Sequence, residues 1–483
     1  MLTELLTPPA WVILLPLATA ICLAFVRDHR QAGWINLASA AVTALLSFRL
    51  PWQQTVGALL LVDPLSAHMA ILTAFVGFTT AWFSLGYIRT EATAGRLDPW
   101  HLRQYHALFQ AFLGSMLLAL LSNNLGVAWV ALEAATISAV IVVGLSRTAE
   151  AVEASWKFFI LCGVGIALAL FGTIVLALAA TPILGPGLPT MTWTSLATAG
   201  PQMHGTLLNL AFVFLLLGYG TKAALAPLHA WMPDAHAEGP TPVSAVLAGS
   251  IPGVALVLIL RLRGLLVGNP EAISPGPPLM ALGLVSILLA SLSLWRRRDV
   301  KRFFAFSTVE QTGVAAFALG LGGVGATFAA ILHLTLHTLA KAAVFQCVGR
   351  AAQLKGGQRF TDISGLLSRN VPLGLTLAAG IVAVAGIPPF GLFTSEFLVM
   401  AETVRLQPYL AILLGLGLVI GGWALITRLI TLCTGPETPN PGPAVHWTAL
   451  VPAWLHLALV LLLGLAMPES VTAWFAAIAE VAR

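Results

Sequence analysis

The sequence predicts an all-α polytopic membrane protein of about 14 transmembrane helices, and three observations carry that prediction. Of the 483 residues, 58% are hydrophobic and only 9% are charged, whereas soluble domains carry about 25% charged residues. Apolar runs of about 20 residues recur along the whole chain, each long enough to cross roughly 30 Å of hydrocarbon. The basic residues fall between these runs with a bias to alternate loops, as the positive-inside rule requires.

In chain order the spans are placed near 9–27, 33–49, 64–88, 105–122, 124–145, 156–180, 207–233, 242–263, 278–295, 303–322, 326–349, 372–400, 408–432 and 447–478. The first run follows the acidic, Pro-containing start MLTELLTPPA. It lacks a basic leader segment, so it reads as a span and not as a cleaved signal. With the N-terminus outside, the inner loops hold 17 of the 24 Lys and Arg, among them Arg27, Arg30, Arg89, Arg147, Lys157 and the cluster Arg296, Arg297, Arg298, Lys301 and Arg302. The outer side holds 5, namely Arg49, Arg261, Arg263, Arg405 and Arg483. The remaining two, Lys222 and Lys341, fall within spans. Both termini are therefore expected on the outer side of a cell inner (cytoplasmic) membrane.

Composition excludes several classes. Cys22, Cys162, Cys347 and Cys433 are scattered singly with no CxxC, against an iron–sulfur pattern, a zinc knuckle or a disulfide framework. The net charge of +5 is dispersed over short loops, which points to no nucleic-acid partner. Neither GxxxxGK[ST] nor a strand-borne GxGxxG occurs, so nucleotide binding has no support. No cofactor and no metal site are expected in this chain. Any redox chemistry belongs to other subunits.

Within one membrane domain, four parts are expected: spans 1–3 (1–103), a first unit of spans 4–8 (104–266), a second unit of spans 9–13 (277–432) and a closing span (447–483). The seventh span is interrupted at LAPLH and the twelfth at AGIPPFGLF, with Lys222 before the first break and Glu396 after the second. Interrupted helices at corresponding places of two halves point to two inverted five-helix repeats. Proline kinking of long helices is the plainer reading of each break taken singly.

Ionisable residues at bilayer depth cost several kcal/mol unless paired or wetted, so each needs an account. Glu133 sits mid-span in AWVALEAATISAV, and Lys222 is its natural partner. A pair whose separation varies would load and release a proton at the lysine; a static structural ion pair is the rival. His333, His337 and Lys341 recur at i, i+4 and i+8, forming one stripe of about 12 Å on one helix. Imidazoles exchange protons near neutral pH, so the stripe reads as a proton wire. A structural hydrogen-bond ladder, or a haem or metal ligand pair, stays open beside it. Glu310, in FSTVEQTG, is placed near the start of its span at the interface. With Lys157, His229 and Asp234 it is ranked as accessory.

The stretches SNNLGVAWVALEAATISA, GTKAALAPLHAWMPDAHAEGPTPVSA, DVKRFFAFSTVEQTG, HTLAKAAVF and GIPPFGLFTSEF resemble the antiporter-like, proton-pumping subunits of respiratory complex I and of multisubunit sodium/proton antiporters. Residues 60–430 are most similar to the hydrogenase-4 component F branch. The resemblance implies that Glu133 and Lys222 form a functional pair, that His333, His337 and Lys341 are a relay, and that Glu396 ends it. It also implies membrane and peripheral partner subunits, and protons or sodium as the ion carried. Many relatives carry Lys or His in the eighth span, whereas SAVLAGSIPGVALVLILR has only small and apolar residues around Ala248 and Gly253. No long lateral helix after the last span is expected from this sequence. Three readings follow: redox-driven ion translocation in a hydrogenase- or dehydrogenase-type complex, energising of inorganic-carbon uptake or a sodium/proton antiporter subunit, and an assembly scaffold with a dead channel.

Overall fold

Helix starts in this chain are written by small polar residues ahead of apolar runs, whose side chains accept from otherwise orphaned backbone N–H groups. In the computed structural model, which describes residues 7–436 and 445–481, Asp63, Asp98, Asn124, Thr148 and Asp299 each cap a helix in this way. The N-terminal part contains α1 (Pro8–Leu23), α2 (His29–Ser47) and α3 (Pro64–Thr93). The first unit runs through α4 (Pro99–Leu121), α5 (Leu125–Val143) and α6 (Ala149–Leu184), then the short loop helix α7 (Trp193–Ala199). It continues with α8 (Gly205–Lys222), α9 (Trp231–Glu238) and α10 (Thr241–Val267). The second unit opens with α11 (Gly276–Leu294), α12 (Val300–Leu321) and α13 (Gly323–Lys355), followed by the short α14 (Phe360–Ile363) and α15 (Leu366–Arg369). It closes with α16 (Val371–Val384), α17 (Gly391–Leu406) and α18 (Pro408–Thr434). Last come α19 (Val451–Leu465) and α20 (Glu469–Val481). A two-residue hairpin, Thr55–Val56 with Leu61–Val62, lies between α2 and α3 and carried no clear sequence signal.

The chain is an all-helical multi-pass membrane protein. Among the described residues, 12 helices are long and apolar enough to cross a membrane, or 13 if Phe360–Arg369 and Val371–Val384, bent by 116°, form one span. The fourteenth expected span is α1, which at 16 residues falls short of that length. The final span is shorter than 447–478. Its helix stops at Leu465, and α20 is separate, because Pro468 cannot continue the ladder. Arg483 lies outside the described residues.

The two five-span units pack alike. In the first, α4 packs on α5, α5 on α6, α6 on both α8 and α9, and α8 on α10. The second repeats each pairing: α11 on α12, α12 on α13, α13 on both α16 and α17, and α16 on α18. Five crossings separate the first helix of one unit from that of the other, and an odd number reverses direction.

Burial places the centre of the molecule at α10, α12 and α13, whose apolar windows are 100%, 94% and 94% buried, against 28% for the peripheral α18. The absence of a basic residue from the 244–260 stretch of α10, ahead of Arg261 and Arg263, has a packing reason. A Cβ at Gly249 would collide with Thr338 of α13, so these helices meet at a distance that only small residues permit.

Candidate functional site

The seventh span breaks where its own backbone needs outside partners. α8 ends at Lys222 and α9 begins at Trp231. The freed groups are satisfied individually, as burial demands. Trp231 Nε1 donates to the Thr221 carbonyl at 2.8 Å, and the Trp231 ring stacks on Phe158 at 4.4 Å. The Ala226 N–H donates to Ser286 Oγ at 2.8 Å. Because Ser286 sits on α11, the break in the first unit is pinned by the second.

Lys222 is fully buried at that break. Its Nζ donates to Glu133 Oε2 at 3.0 Å and to Thr136 Oγ1 at 2.6 Å. Glu133 and Thr136 are less than one turn apart on α5, and the carboxylate keeps 18% exposure. The pair expected from the sequence is thus brought together, and Thr136 is a partner that sequence reasoning missed.

In the second unit the stripe on α13 is equally buried. The His333 and His337 rings lie parallel, 3° apart in plane with centroids at 6.3 Å. His333 Nε2 sits 3.2 Å from the Gln311 carbonyl and Nδ1 sits 3.0 Å from Ser395 Oγ. Ser395 is the neighbour of Glu396 on α17. His337 Nε2 and Glu396 Oε1 are buried with no hydrogen-bond partner among the described residues. Lys341 Nζ donates to the Phe304 carbonyl at 3.0 Å and lies 5.6 Å above the Phe304 ring. Lys341, His337 and His333 thus share one face of α13, and His333 meets Ser395, the residue next to Glu396.

Glu310 corrects the expectation of an interfacial residue. It lies midway along α12 and is 1% exposed, accepting from Ser291 Oγ at 3.0 Å. The polar run FSTVEQTG looks like a helix end, but Asp299 starts the helix earlier. Both membrane carboxylates of this unit are lodged against glycine. A Cβ at Gly421 would collide with Glu310, and one at Gly386 with Glu396.

The other accessory residues lie away from this core. Lys157 pairs with Glu153 at 2.5 Å and with Asp234 at 3.2 Å. Arg302 pairs with Asp234 at 3.2 Å and Glu238 at 3.3 Å. Beside this network, burial pushes the Glu238 carboxyl above its ordinary range. His229 lies edge-on to Phe306 at 6.0 Å. Sequence reasoning also passed over His236, which is fully buried on α9. No group of three or more His, Cys, Asp or Glu among the described residues could hold a metal ion.

Residues 122–421 match the family model described as NADH:quinone oxidoreductase/Mrp antiporter, transmembrane. The chain is 45% identical over 467 residues to a hydrogenase-4 component F homolog of Methylacidiphilum infernorum, covering 96% of this chain and 98% of that protein. It is 30% identical to NADH-quinone oxidoreductase subunit 14 of Thermus thermophilus, covering 91% and 93%. Among solved structures, a chain of the membrane-bound sulfane sulfur reductase, an archaeal respiratory membrane complex, shares the fold with a TM-score of 0.85 at 21% identity, covering 98% and 96%. A chain of respiratory complex I from Thermus thermophilus does so at 0.83 and 21%, covering 98% of each. With its paired and broken helices and its buried titratable residues, the chain belongs to the NADH:quinone oxidoreductase/Mrp antiporter family of membrane subunits.

Proposed function

We propose that this chain is a proton-translocating, antiporter-like subunit of a larger redox-driven membrane complex of the hydrogenase-4 or complex I kind. It resides in the cytoplasmic membrane with both termini outside. The observation that carries the proposal is the Lys222–Glu133 contact, a fully buried ammonium 3.0 Å from a carboxylate at the end of a broken helix. A buried charge pair is weak evidence for stability, since desolvation offsets most of its attraction. Its retention at a break, where the backbone accepts a hydrogen bond from Trp231 and donates one to Ser286, fits a pair that separates and re-forms.

Separation changes the proton affinity of the lysine, each pKa unit being about 1.4 kcal/mol of differential interaction. Lys222 then serves as the proton site of the first unit. Lys341, His337, His333 and Glu396 serve the second, with Ser395 and Gln311 as positioning residues. The 45% identity to a hydrogenase-4 component F homolog across nearly the full length of both chains supports the choice of complex. The redox centre and the partner subunits that drive the motion lie in other chains.

The test is pumping per turnover in the reconstituted complex for Lys222→Met, Glu133→Gln and the double variant, with thermal stability alongside. Methionine keeps the bulk and loses the ionisable group. Loss of pumping in all three is expected. A double variant that pumps normally would leave the pair purely structural.

A further inference from the structure

His236 lies at the inner end of α9 and is fully buried, yet neither of its ring nitrogens has a hydrogen-bond partner among the described residues. Buried polar atoms without partners are rare in native proteins and call for a water or a functional cause. The ring is held flat against Phe345 of α13, with centroids at 4.9 Å and planes 16° apart. Phe345 is one turn beyond Lys341 on that helix. The stack therefore brings the ring against α13 within a turn of Lys341, while Lys301 of α12 bonds to Gly239, three residues after the ring.

A cavity of about 290 Å³ opens next to this residue, on the side where the basic loops lie. Ala237, Glu238 and Gly239 form part of its wall together with Tyr87, Glu91 and Lys301. Lys301 is nearly buried and donates to the Gly239 carbonyl at 2.9 Å. It thus ties α12 to the turn that follows His236 at the cavity wall. The other titratable groups on the cavity wall are Tyr87, Glu91, Arg96 and Glu238. No basic side chain of α10 links Lys222 to Lys341, because that helix is packed too closely on α13 at Gly249.

We infer that His236 is a proton-transferring residue that admits protons from this inner cavity directly to Lys341, giving the second unit an entry of its own. The inference rests on the translocation reading above. A proton from cavity water binds one ring nitrogen, and the other ring nitrogen gives up its proton to the neutral amine of Lys341. The two transfers leave the ring neutral in its other tautomer, and rotation or reverse exchange with water resets it. Internal water supplies the link, as it commonly does for unpaired buried polar groups.

Two measurements on the intact complex test this. Hydrogen–deuterium exchange at the imidazole C2 position reports water access residue by residue. His236 is expected to exchange at a rate nearer that of exposed His446 than that of buried His456, and absence of exchange at His236 would overturn the inference. Pumping per turnover is then compared for His236→Phe, which keeps the stack on Phe345, and His236→Gln, which keeps polarity but cannot shuttle a proton. Both are expected to lose about tenfold or more with assembly intact. Wild-type pumping in His236→Gln would make the residue structural and end the proposal. Lys222→Met and Lys341→Ala run in the same series. If they pump normally, the translocation reading itself fails; if they lose pumping while both His236 variants keep it, only the inner entry fails.

Discussion

The two five-helix units share a packing plan but hold their lysines differently. Lys222 in the first faces a carboxylate at 3.0 Å and a hydroxyl at 2.6 Å. Lys341 in the second has no carboxylate within ion-pair distance among the described residues, and is held by a backbone carbonyl and a ring face. The carboxylates of the second unit, Glu310 and Glu396, are instead set against glycines on α18 and in the α16–α17 break. One fold therefore supports a charge-paired site and a site solvated by neutral dipoles. A lysine with a mobile counter-ion responds to helix motion. A lysine among fixed dipoles responds to the protonation of its neighbours.

The largest expected effect breaks this comparison at its functional end. Lys222→Met and Lys341→Ala are each expected to lower pumping per turnover by about two orders of magnitude, the range for removing a proton-transfer group. Assembly should be retained. If only one of them matters, the unaffected lysine is scaffold.

Stability should separate the units where pumping does not. Glu133→Gln leaves a fully buried ammonium with neutral acceptors and no counter-charge, which is expected to cost about 3 kcal/mol. Lys341→Met leaves only a carbonyl and a ring, with an expected cost near 1 kcal/mol. Thermal unfolding of the two variants in one detergent reads this difference. Equal losses would mean that Lys341 is paired in the assembled protein after all.

How far the sequence revealed this site follows from what each residue needs. The Glu133–Lys222 pair was legible because two opposite charges at depth have few alternatives, and the break because Pro227 interrupts an apolar run. The stripe was legible because i, i+4 and i+8 fall on one helix face. Glu310 was misplaced because a position in the first half of the 303–322 run was read as depth, whereas the helix that Asp299 caps runs from Val300 to Leu321 and sets Glu310 at its middle. His236 was missed because it follows a helix break in PDAHAEGP, which reads as a loop; burial there comes from α12 and α13, far away in sequence. The separate α20 was hidden because hydropathy alone does not distinguish a continuous span from a span followed by an apolar surface helix.

A smaller effect probes how the second unit seats its carboxylates. Gly421→Ala would drive its Cβ into Glu310, and displacing a buried side chain is expected to cost about 2 kcal/mol. Among the described residues Ser291 is the hydrogen-bond donor to that carboxylate, so Ser291→Ala combined with Gly421→Ala should cost little more than Gly421→Ala alone, the contact being already lost. Additive losses would show that Glu310 keeps its place when the glycine is filled.

The smallest effect concerns the inner mouth, where the units meet through charges in contact with water. Asp234 bridges Lys157 of α6 and Arg302 of α12 at 3.2 Å each. Lys157 is 47% and Arg302 40% exposed, whereas Asp234 is 21% exposed. Such pairs contribute about 0–1 kcal/mol, since solvent screens them and two long side chains must be ordered. Asp234→Asn keeps the size and hydrogen-bonding capacity, so the expected loss in stability is under about 1 kcal/mol. It should vanish in roughly 1 M salt, where the Debye length falls to about 3 Å. Pumping per turnover should stay at the wild-type level, because the first-unit lysine is served by Glu133 and not by this network. A severe pumping defect that salt does not reproduce in the wild type would move Asp234 from a clamp between the units into the proton path, and the contrast between a charge-paired core and a screened rim would no longer hold.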